Sequence, residues 1–274
     1  MLETKKPLIA EAGSSLVLVE KWEAGEVKSY EDAVAEEVPV AMIYNGISHA
    51  VMLATPQDLQ DLALGFSLAE GILSSSKELY SIEVVEQALG IELRMEAASE
   101  RFAQLKDRRR SMTGRTGCGL CGAESLAQAL RLPSNVNTSK EVFDKEVVLK
   151  ALENAANQQV LQAKTGATHA SFWVQTTGDI SMVREDVGRH NALDKLLGAL
   201  AKQYKAAGFV LTTSRASYEM VQKVAVAGVS MLVAISAPTG LAIRVAEQCG
   251  VTLIGFARPQ QFVVYTHPER IKLK

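Results

Sequence analysis

In the second half of the chain, short apolar runs alternate with amphipathic stretches of helical period. The apolar runs recur roughly every 20 residues, a pattern that predicts buried strands joined by helical crossovers. The predicted strands lie at 169–175, 180–183, 209–212, 231–235 and 251–256. The predicted helices lie at 189–206, 218–227 and 241–249, and an earlier one runs from an N-cap at Asp144 to about residue 163. The alternation predicts an α/β core with a mostly parallel sheet and helices on both faces.

The first half of the chain has a different pattern. Runs 38–44 and 47–54 flank Asn45-Gly46, a dipeptide that favours a type I′ turn, and so predict a β-hairpin. Thr55-Pro56 then predicts the N-cap and first residue of a helix over 57–70. Further predicted elements are two strands and a helix, at 82–85, 91–95 and 99–110.

The residues before position 36 show no sustained period, and only Leu16–Val19 favours an edge strand. We therefore divide the chain into an N-terminal segment over 1–35, an α+β subdomain over 36–135 and an α/β domain over 136–274.

Composition narrows the class of protein. The 274-residue chain is 47% hydrophobic with a formal net charge of −2, so its overall charge does not indicate a nucleic-acid partner. Three cysteines, an odd number, favour a reducing compartment over a disulfide framework. We find no N-terminal signal peptide and no apolar run of the roughly 18–20 residues that a membrane-spanning helix requires. The sequence predicts a cytoplasmic globular protein without a membrane partner.

Sulfur chemistry is indicated by one short stretch, 114–122, which reads GRTGCGLCG. Its four glycines predict a loop, because glycine destabilises helix and strand interiors by about 0.5–1 kcal/mol relative to alanine. Cys118 and Cys121 lie on this loop, Arg115 lies within it, and a basic run over 106–110 precedes it. Nearby positive charge favours the thiolate, the form of cysteine that acts as nucleophile or metal ligand. A reactive thiol that carries or attacks a substrate is the preferred interpretation.

Two other interpretations of this Cys-x-x-Cys pair remain open. A zinc site needs four ligands, or three and a water, and only Cys249 and isolated histidines are left to supply them. A dithiol redox site normally lies in the first βα turn of a βαβ unit, whereas both flanks here are predicted helices. The zinc-deaminase signature is absent, because no His-x-Glu precedes the cysteines and Gly117 occupies the place of its proline. We therefore assign no metal ligand.

Ligands of open α/β sheets bind beyond the carboxyl ends of the strands. By chain order three segments fall there, 213–217, 236–240 and 257–261, and the first two combine hydroxyl residues with a helix start. Helix starts offer backbone N–H groups to phosphate, and Arg215 and Arg258 add guanidinium groups that bind anionic oxygens. These segments predict an anionic, phosphate-bearing ligand.

A further polar cluster, 184–191, directly precedes a predicted helix and contains His190. Its ionisable residues indicate either a helix start held by ion pairs or the wall of a pocket. The residues alone do not decide between the two.

Several of these stretches together resemble the FdhD family, the formate dehydrogenase accessory sulfurtransferases. The resemblance is carried by the cysteine loop and by five further blocks, at 37–40, 44–49, 64–71, 185–195 and 214–223. The blocks occur in order over most of the chain after position 35, and the N-terminal segment is not covered.

The resemblance implies a cytoplasmic homodimer that takes sulfur from a cysteine desulfurase and passes it to the molybdenum cofactor. That cofactor is bis(molybdopterin guanine dinucleotide), of which GDP is a fragment, and it is sulfurated before it enters formate dehydrogenase. The resemblance also implies a C-terminal domain similar to the cytidine deaminase fold. Two alternative functions stay open beside that of a sulfurtransferase. One is a non-catalytic chaperone of the cofactor, and the other is a zinc- or redox-regulated binding module.

The resemblance further implies roles for individual residues. It places the persulfide on Cys118, with Cys121 as an assistant, an alternative carrier, or a thiol that displaces the sulfur as a disulfide forms. The guanine-dinucleotide contacts map onto one segment, namely Phe256, Ala257, Arg258, Pro259, Gln260 and Gln261. At the end of this segment the family commonly has a glycine and a second basic residue, so Gln260 and Gln261 depart from its pattern. We add Arg215 and His190 as candidate cofactor-contacting residues.

Overall fold

The computed structural model describes residues 13–112, 136, 141–203 and 207–273. These residues form a four-stranded sheet, a six-stranded sheet and two small two-stranded sheets. One of the small sheets pairs β7 (Phe143–Asp144) with β14 (Ile271–Lys272). None of the helices in these ranges is long and apolar enough to cross a membrane.

An extended hairpin comes first in the chain. Its strands, β1 (Ser14–Glu23) and β2 (Glu26–Ala35), pair antiparallel along their whole length. The strand predicted over 16–19 lies within β1, whereas the expectation that the rest of this segment is irregular was wrong. Apolar residues occur on both faces of this hairpin, so that neither face produces a clean period of two.

The four-stranded sheet has the order β4-β3-β6-β5. Its strands are β3 (Val38–Tyr44), β4 (Ile47–Ala54), β5 (Leu79–Gln87) and β6 (Gly90–Ala97). Asn45 and Gly46 have φ values of 46° and 80°, as a type I′ turn requires. Met42 and Leu93 of the sheet pack with Leu62 of α1 (Leu59–Ala69) and Leu105 of α2 (Ser99–Met112) in one apolar cluster.

Helix α1 begins later than predicted and without the predicted cap. Its N-cap is Asp58, at φ 51°, and not Thr55. Thr55 is fully buried, and its backbone N–H donates to the Asp186 carboxylate at 3.0 Å while its Oγ1 accepts from the N–H of Val187 at 3.2 Å. Tertiary hydrogen bonds thus use the groups that a local cap would have used.

The six-stranded sheet has the order β13-β12-β11-β10-β8-β9. Its strands are β8 (His169–Gln175), β9 (Ile180–Asp186), β10 (Gly208–Thr212), β11 (Met231–Ala234), β12 (Thr252–Arg258) and β13 (Gln261–Val264). Only the pairs β10–β11 and β11–β12 are parallel. The prediction of a mostly parallel sheet was wrong. Tight hairpins join β8 to β9 and β12 to β13, and a tight turn enforces antiparallel pairing. In addition, β10 pairs antiparallel with β8.

Helices cover both faces of this sheet, as predicted. One face packs on α3 (Lys145–Ala155), and the other on α5 (Arg189–Ala201), α6 (Tyr218–Val226) and α7 (Gly240–Cys249). The fold class is therefore α/β, joined to an α+β part that contains the predicted hairpin. The likeness to the cytidine deaminase fold and the domain boundaries stay predictions.

The long helix predicted from Asp144 is interrupted. After α3 comes a 3₁₀ turn (Ala156–Gln158) and then a separate helix, α4 (Val160–Thr165). The Glu185 carboxylate accepts hydrogen bonds from the N–H groups of Leu161 and Gln162, both at 2.8 Å. A carboxylate distant in sequence therefore caps the second helix, which local periodicity does not reveal.

Helices α1 and α5 cross with their backbones in direct contact. A Cβ atom on Gly65 would lie 1.8 Å from the carbonyl oxygen of Asp194, and one on Gly198 would lie 1.9 Å from that of Asp61. Arg184 and Lys202 both reach the Asp61 carboxylate at 2.7 Å. The four-stranded part is thus packed directly on the α/β core.

Candidate functional site

The structure brings three strand-end segments together at one edge of the six-stranded sheet. The N–H of Phe256 donates to the carbonyl of Ser236 at 3.2 Å, and the N–H of Ser236 donates to that of Ser214 at 3.3 Å. Ala216 and Pro238 form a parallel bridge between the first two segments. Residues 213–217, 236–240 and 257–261 therefore form one continuous surface.

The last of these segments is a hairpin tip and not a loop that leads to a helix. Phe256, Ala257 and Arg258 end β12, Pro259 and Gln260 form the turn, and Gln261 starts β13 opposite Arg258. The register shifts between Gly255 and Arg258, which marks a bulge. The apolar pattern predicts an end of this strand at 256 and gives no indication of β13, whose short run is only half-buried.

Phe256 has an unusual backbone at this bulge. Its φ is 50° and its side chain is 46% exposed. A left-handed conformation at a bulky residue costs roughly 1–3 kcal/mol and is typical of functional sites. The bulge thus presents an aromatic ring to solvent, where it is available to stack on a planar ligand.

Two arginines lie at this edge, and they differ in the hydrogen bonds that their side chains make within the described residues. Arg258 is exposed, and its Nη1 donates to the carbonyls of Ile235 and, at 2.8 Å, Ala257. Its remaining N–H groups stay available to an anion. Arg215 is exposed, and its side chain makes no hydrogen bond or ion pair within the ranges that the structure describes. Both guanidinium groups can therefore contact a ligand.

His190 extends the same edge to the start of α5. Its Nε2 lies 2.7 Å from Oε2 of Glu219 in the first turn of α6, and this close contact lowers the pKa of Glu219. The N-cap of α5 is Gly188, which has no side chain, and the first turn of α5 contains no acidic residue. The positive end of its helix dipole is thus not neutralised by its own first turn.

Arg189 and His169 belong to this edge, although the sequence analysis did not select them. Arg189 has a buried Nε without a partner among the described residues. Burial, and then the charges of Arg189 and His190, lower the pKa of His169. With Thr213, His169 also lines a cavity of about 420 Å³. The one feature of the sequence that could have indicated Arg189 as part of this edge is that the first turn of α5 contains no acidic residue.

Other residues of the polar cluster 184–191 have structural roles. Asp186 and Lys195 are both fully buried, with carboxylate oxygen and Nζ 2.7 Å apart. Lys195 Nζ also donates to the Thr55 carbonyl at 2.9 Å. The buried ion pair of Asp186 and its contact with the N–H of Gly188 support the interpretation of a helix start held by ion pairs. The interpretation as a pocket wall stays a prediction.

Four of the resemblance blocks converge on a second polar centre around Lys223. Its buried Nζ lies 2.9 Å from Asp194 Oδ1 and 3.2 Å from Glu70 Oε1. Nearby, the Tyr44 hydroxyl and the Ser67 hydroxyl are 2.7 Å apart. Beside Lys223 lies a cavity of about 400 Å³ with a largely apolar lining, which includes Leu68, Leu73, Leu197 and Leu200.

The predicted sulfur site, with Cys118, Cys121 and Arg115, lies outside the described residues. Within the described ranges, no three His, Cys, Asp or Glu side chains are grouped so that they could hold a metal ion. The third cysteine, Cys249, is buried on α7, and burial raises the pKa of its thiol. The roles predicted for the two loop cysteines stay predictions.

Fold and site together define an α/β protein in which aromatic, guanidinium and imidazole groups line one sheet edge. The family model described as the FdhD/NarQ family matches residues 35–272. The chain belongs to this family, which confirms the resemblance drawn from the sequence blocks.

Relatives from several bacteria agree with this assignment. A protein of Cupriavidus necator named sulfur carrier protein FdhD is 55% identical over 260 residues, which cover 94% of this chain and 90% of that protein. A protein of the same name from Bordetella petrii is 53% identical over 245 residues, covering 89% and 88%. A crystal structure from Desulfotalea psychrophila, described as a formate dehydrogenase accessory protein, has a TM-score of 0.75 and 23% identity, and covers 94% of this chain and 99% of that one. The last comparison supports the fold.

Proposed function

We propose that this chain is a sulfur carrier in the maturation of formate dehydrogenase. Cys118 receives sulfur from a cysteine desulfurase as a persulfide. The chain then delivers the sulfur to bis(molybdopterin guanine dinucleotide) molybdenum cofactor, which it binds as cargo. It acts as a homodimer. The relatives named sulfur carrier protein FdhD support the sulfur half of this proposal.

The observation that carries the cofactor half is the exposed Phe256 ring, held at φ 50° on the same edge as Arg215. A guanine dinucleotide has a planar base and phosphate groups. Phe256 is placed to stack on the base, while Arg258, Arg215 and the open start of α5 fit the phosphates. Ala257, Pro259, Gln260 and Gln261 shape the bulge and turn. GDP is therefore the fragment with which to probe this edge.

The transfer chemistry follows from the two thiols. The Cys118 thiolate attacks the outer sulfur of the donor's persulfide, a new S–S bond forms, and the donor cysteine leaves as a thiolate, with no net oxidation. If the Cys121 thiolate then attacks Cys118 sulfur, a Cys118–Cys121 disulfide forms and the outer sulfur leaves as sulfide. The two thiolates supply the two electrons that reduce the sulfane sulfur. Arg115 favours the thiolate in both steps.

Mass spectrometry tests the sulfur half directly. The chain is incubated with a cysteine desulfurase and cysteine, digested without reductant, and the peptide that contains Cys118 is weighed. A gain of one sulfur mass, absent when the desulfurase is omitted, supports transfer. An unmodified peptide together with intact GDP binding would favour a non-catalytic chaperone, and stoichiometric zinc in the purified protein would favour the metal-regulated binding module.

Substitution of Arg258 by alanine is expected to weaken GDP binding roughly tenfold or more, because losing a charge-assisted hydrogen bond costs roughly 1.5–3 kcal/mol. Isothermal titration calorimetry measures the change. Arg94→Ala is the matched control, since Arg94 is an exposed arginine of β6 whose one ion-pair partner within the described ranges is Glu92. Equal GDP affinity in both variants would place the nucleotide away from this bulge.

Phe256→Gly separates stacking from folding. Glycine adopts positive φ without strain, so we expect a Tm within a few degrees of the wild-type value. The ring is lost, and base–aromatic stacking contributes about 1–3 kcal/mol, so GDP affinity should fall about tenfold. Phe256→Tyr is the control that keeps a ring. A Phe256→Gly protein that binds GDP normally would remove the stacking role.

A further inference from the structure

The hairpin β1–β2 exposes large apolar side chains outside the two main sheets. Leu16 is 63% exposed, Leu18 74%, Trp22 72% and Val27 62%. All four lie on one face, since Trp22 and Val27 are opposite each other and side chains alternate along a strand. Exposed apolar patches mark interaction sites, and a lone two-stranded hairpin is marginally stable in water. Helix α4 packs on the end of β2, but most of the hairpin's length has no such support among the described residues.

The strand edges show where a partner can pair. Neither outer edge of the hairpin pairs with another strand in the part of the chain that the structure describes. The base is fixed, because Lys164 Nζ donates to Ser14 Oγ at 2.8 Å. Residues 26–31 of β2 are exposed. An unpaired edge of this kind is a template for a further strand.

Strand β2 is complementary to itself when two copies run antiparallel with Tyr30 opposite the partner's Tyr30. In this register Lys28 lies opposite the partner's Asp32, and the two-fold axis repeats the pair. Opposite charges directly across antiparallel strands stabilise them. Within one hairpin Lys28 lies opposite Lys21, a like charge. Among the described residues, its only ion pair is a 3.4 Å contact with the exposed Glu26. The partner's Asp32 would offset this repulsion.

The same register also joins the apolar rows of the two hairpins. Val27 lies opposite the partner's Ala33. Within each hairpin, Trp22 is opposite Val27 and Leu16 is opposite Ala33. A continuous row of apolar side chains therefore crosses the four strands, from Trp22 and Val27 of one copy to the partner's Ala33 and the partner's Leu16. Shifting the centre to Ser29 sets Glu26 against the partner's Asp32, and shifting it to Glu31 sets two glutamates against each other.

We propose that two copies of this chain associate by antiparallel pairing of β2 with β2, which forms a four-stranded intermolecular sheet centred on Tyr30. The second copy is the occupant because charges and apolar rows match under one two-fold axis. This inference rests on the homodimer proposed above and names its surface.

Analytical ultracentrifugation over a concentration series tests the surface. Lys28→Glu and Asp32→Lys should each raise the dimer dissociation constant at least tenfold, since each places like charges opposite each other twice. The double variant Lys28→Glu/Asp32→Lys should return to within a few-fold of the wild-type value. Glu20→Lys, a charge reversal on β1 opposite the uncharged Ser29, should leave dimerisation nearly unchanged. A dimer that ignores all four variants would overturn this surface while leaving the homodimer intact.

Cross-linking gives a second readout that does not depend on charge. In a Cys118→Ala/Cys121→Ala background, Tyr30→Cys should form a covalent dimer under mild oxidation, because directly opposite residues have Cα atoms about 4.5–5.5 Å apart, within disulfide range. Ser29→Cys should not, since two copies of position 29 are not opposite. Equal cross-linking at both positions would overturn the register. A chain that is monomeric at every concentration would overturn the homodimer as well, and the persulfide experiment would remain decisive for sulfur transfer.

Discussion

Replacing Cys118 by alanine is expected to abolish sulfur delivery to the cofactor while leaving folding and GDP binding nearly unchanged. Without this thiolate no persulfide forms at the first step, and residual activity should be at background. The Gly-rich sequence around Cys118 predicts a loop, and a substitution away from packed features changes stability by only about 0.5 kcal/mol. Activation of formate dehydrogenase in a strain or extract that lacks the endogenous carrier measures delivery, and calorimetry with GDP checks the binding edge.

Cys121→Ala is the matched variant, because it removes the second thiol from the same Gly-rich stretch. If Cys121 only releases the sulfur, this protein should still accumulate the Cys118 persulfide but deliver it slowly. A Cys118→Ala protein with normal delivery would move the carrier role to Cys121. Loss of GDP binding in either variant would show that the cysteine segment and the sheet edge depend on each other structurally.

The largest effect on stability is expected from Lys195→Met. Lys195 and Asp186 are fully buried at 2.7 Å from each other, and Lys195 also contacts the carbonyl of Thr55. Removing one partner of a buried ion pair leaves an uncompensated charge and costs about 3–5 kcal/mol. For a chain of this size, that corresponds to a Tm lower by roughly 10 °C, measurable by calorimetry or denaturant unfolding.

Lys150→Met is the control for this experiment. Lys150 pairs with Asp179 at 2.8 Å, but both side chains are about half exposed, and exposed ion pairs contribute about 0–1 kcal/mol. A loss below about 1 kcal/mol for Lys195→Met would mean that water or a rearranged neighbour compensates Asp186. A loss as large for Lys150→Met would show that the assay responds to charge alone.

The elements that are defined by neighbours in sequence were predictable. The hairpin β3–β4 has its predicted bounds, because Asn45-Gly46 adopts the two positive φ angles that the turn needs. Strand β8 and helix α6 also lie where apolar period placed them. Turn sterics and burial of one face act over a few residues, so the sequence by itself determined these elements, together with the family.

The candidate site was predictable in part. Arg215, His190 and Phe256 were selected by chain order or resemblance, and the structure places them along one edge of the sheet. The left-handed backbone of Phe256 and the contribution of Arg189 were not predictable. Backbone strain at Phe256 persists only because the surrounding sheet enforces it. Whether the buried Nε of Arg189 has a hydrogen-bond partner depends on which groups folding brings near it.

Only the tertiary structure decided where the charged and polar groups of the chain find partners. Thr55 was predicted as a local cap, yet its N–H binds Asp186, 131 positions away. Glu185 interrupts a continuous helical pattern by capping α4 from 24 positions further along the chain. Gly65 and Gly198 allow α1 and α5 to touch. Such contacts depend on which groups folding brings within hydrogen-bonding distance and removes from water, and no local period or turn residue encodes that.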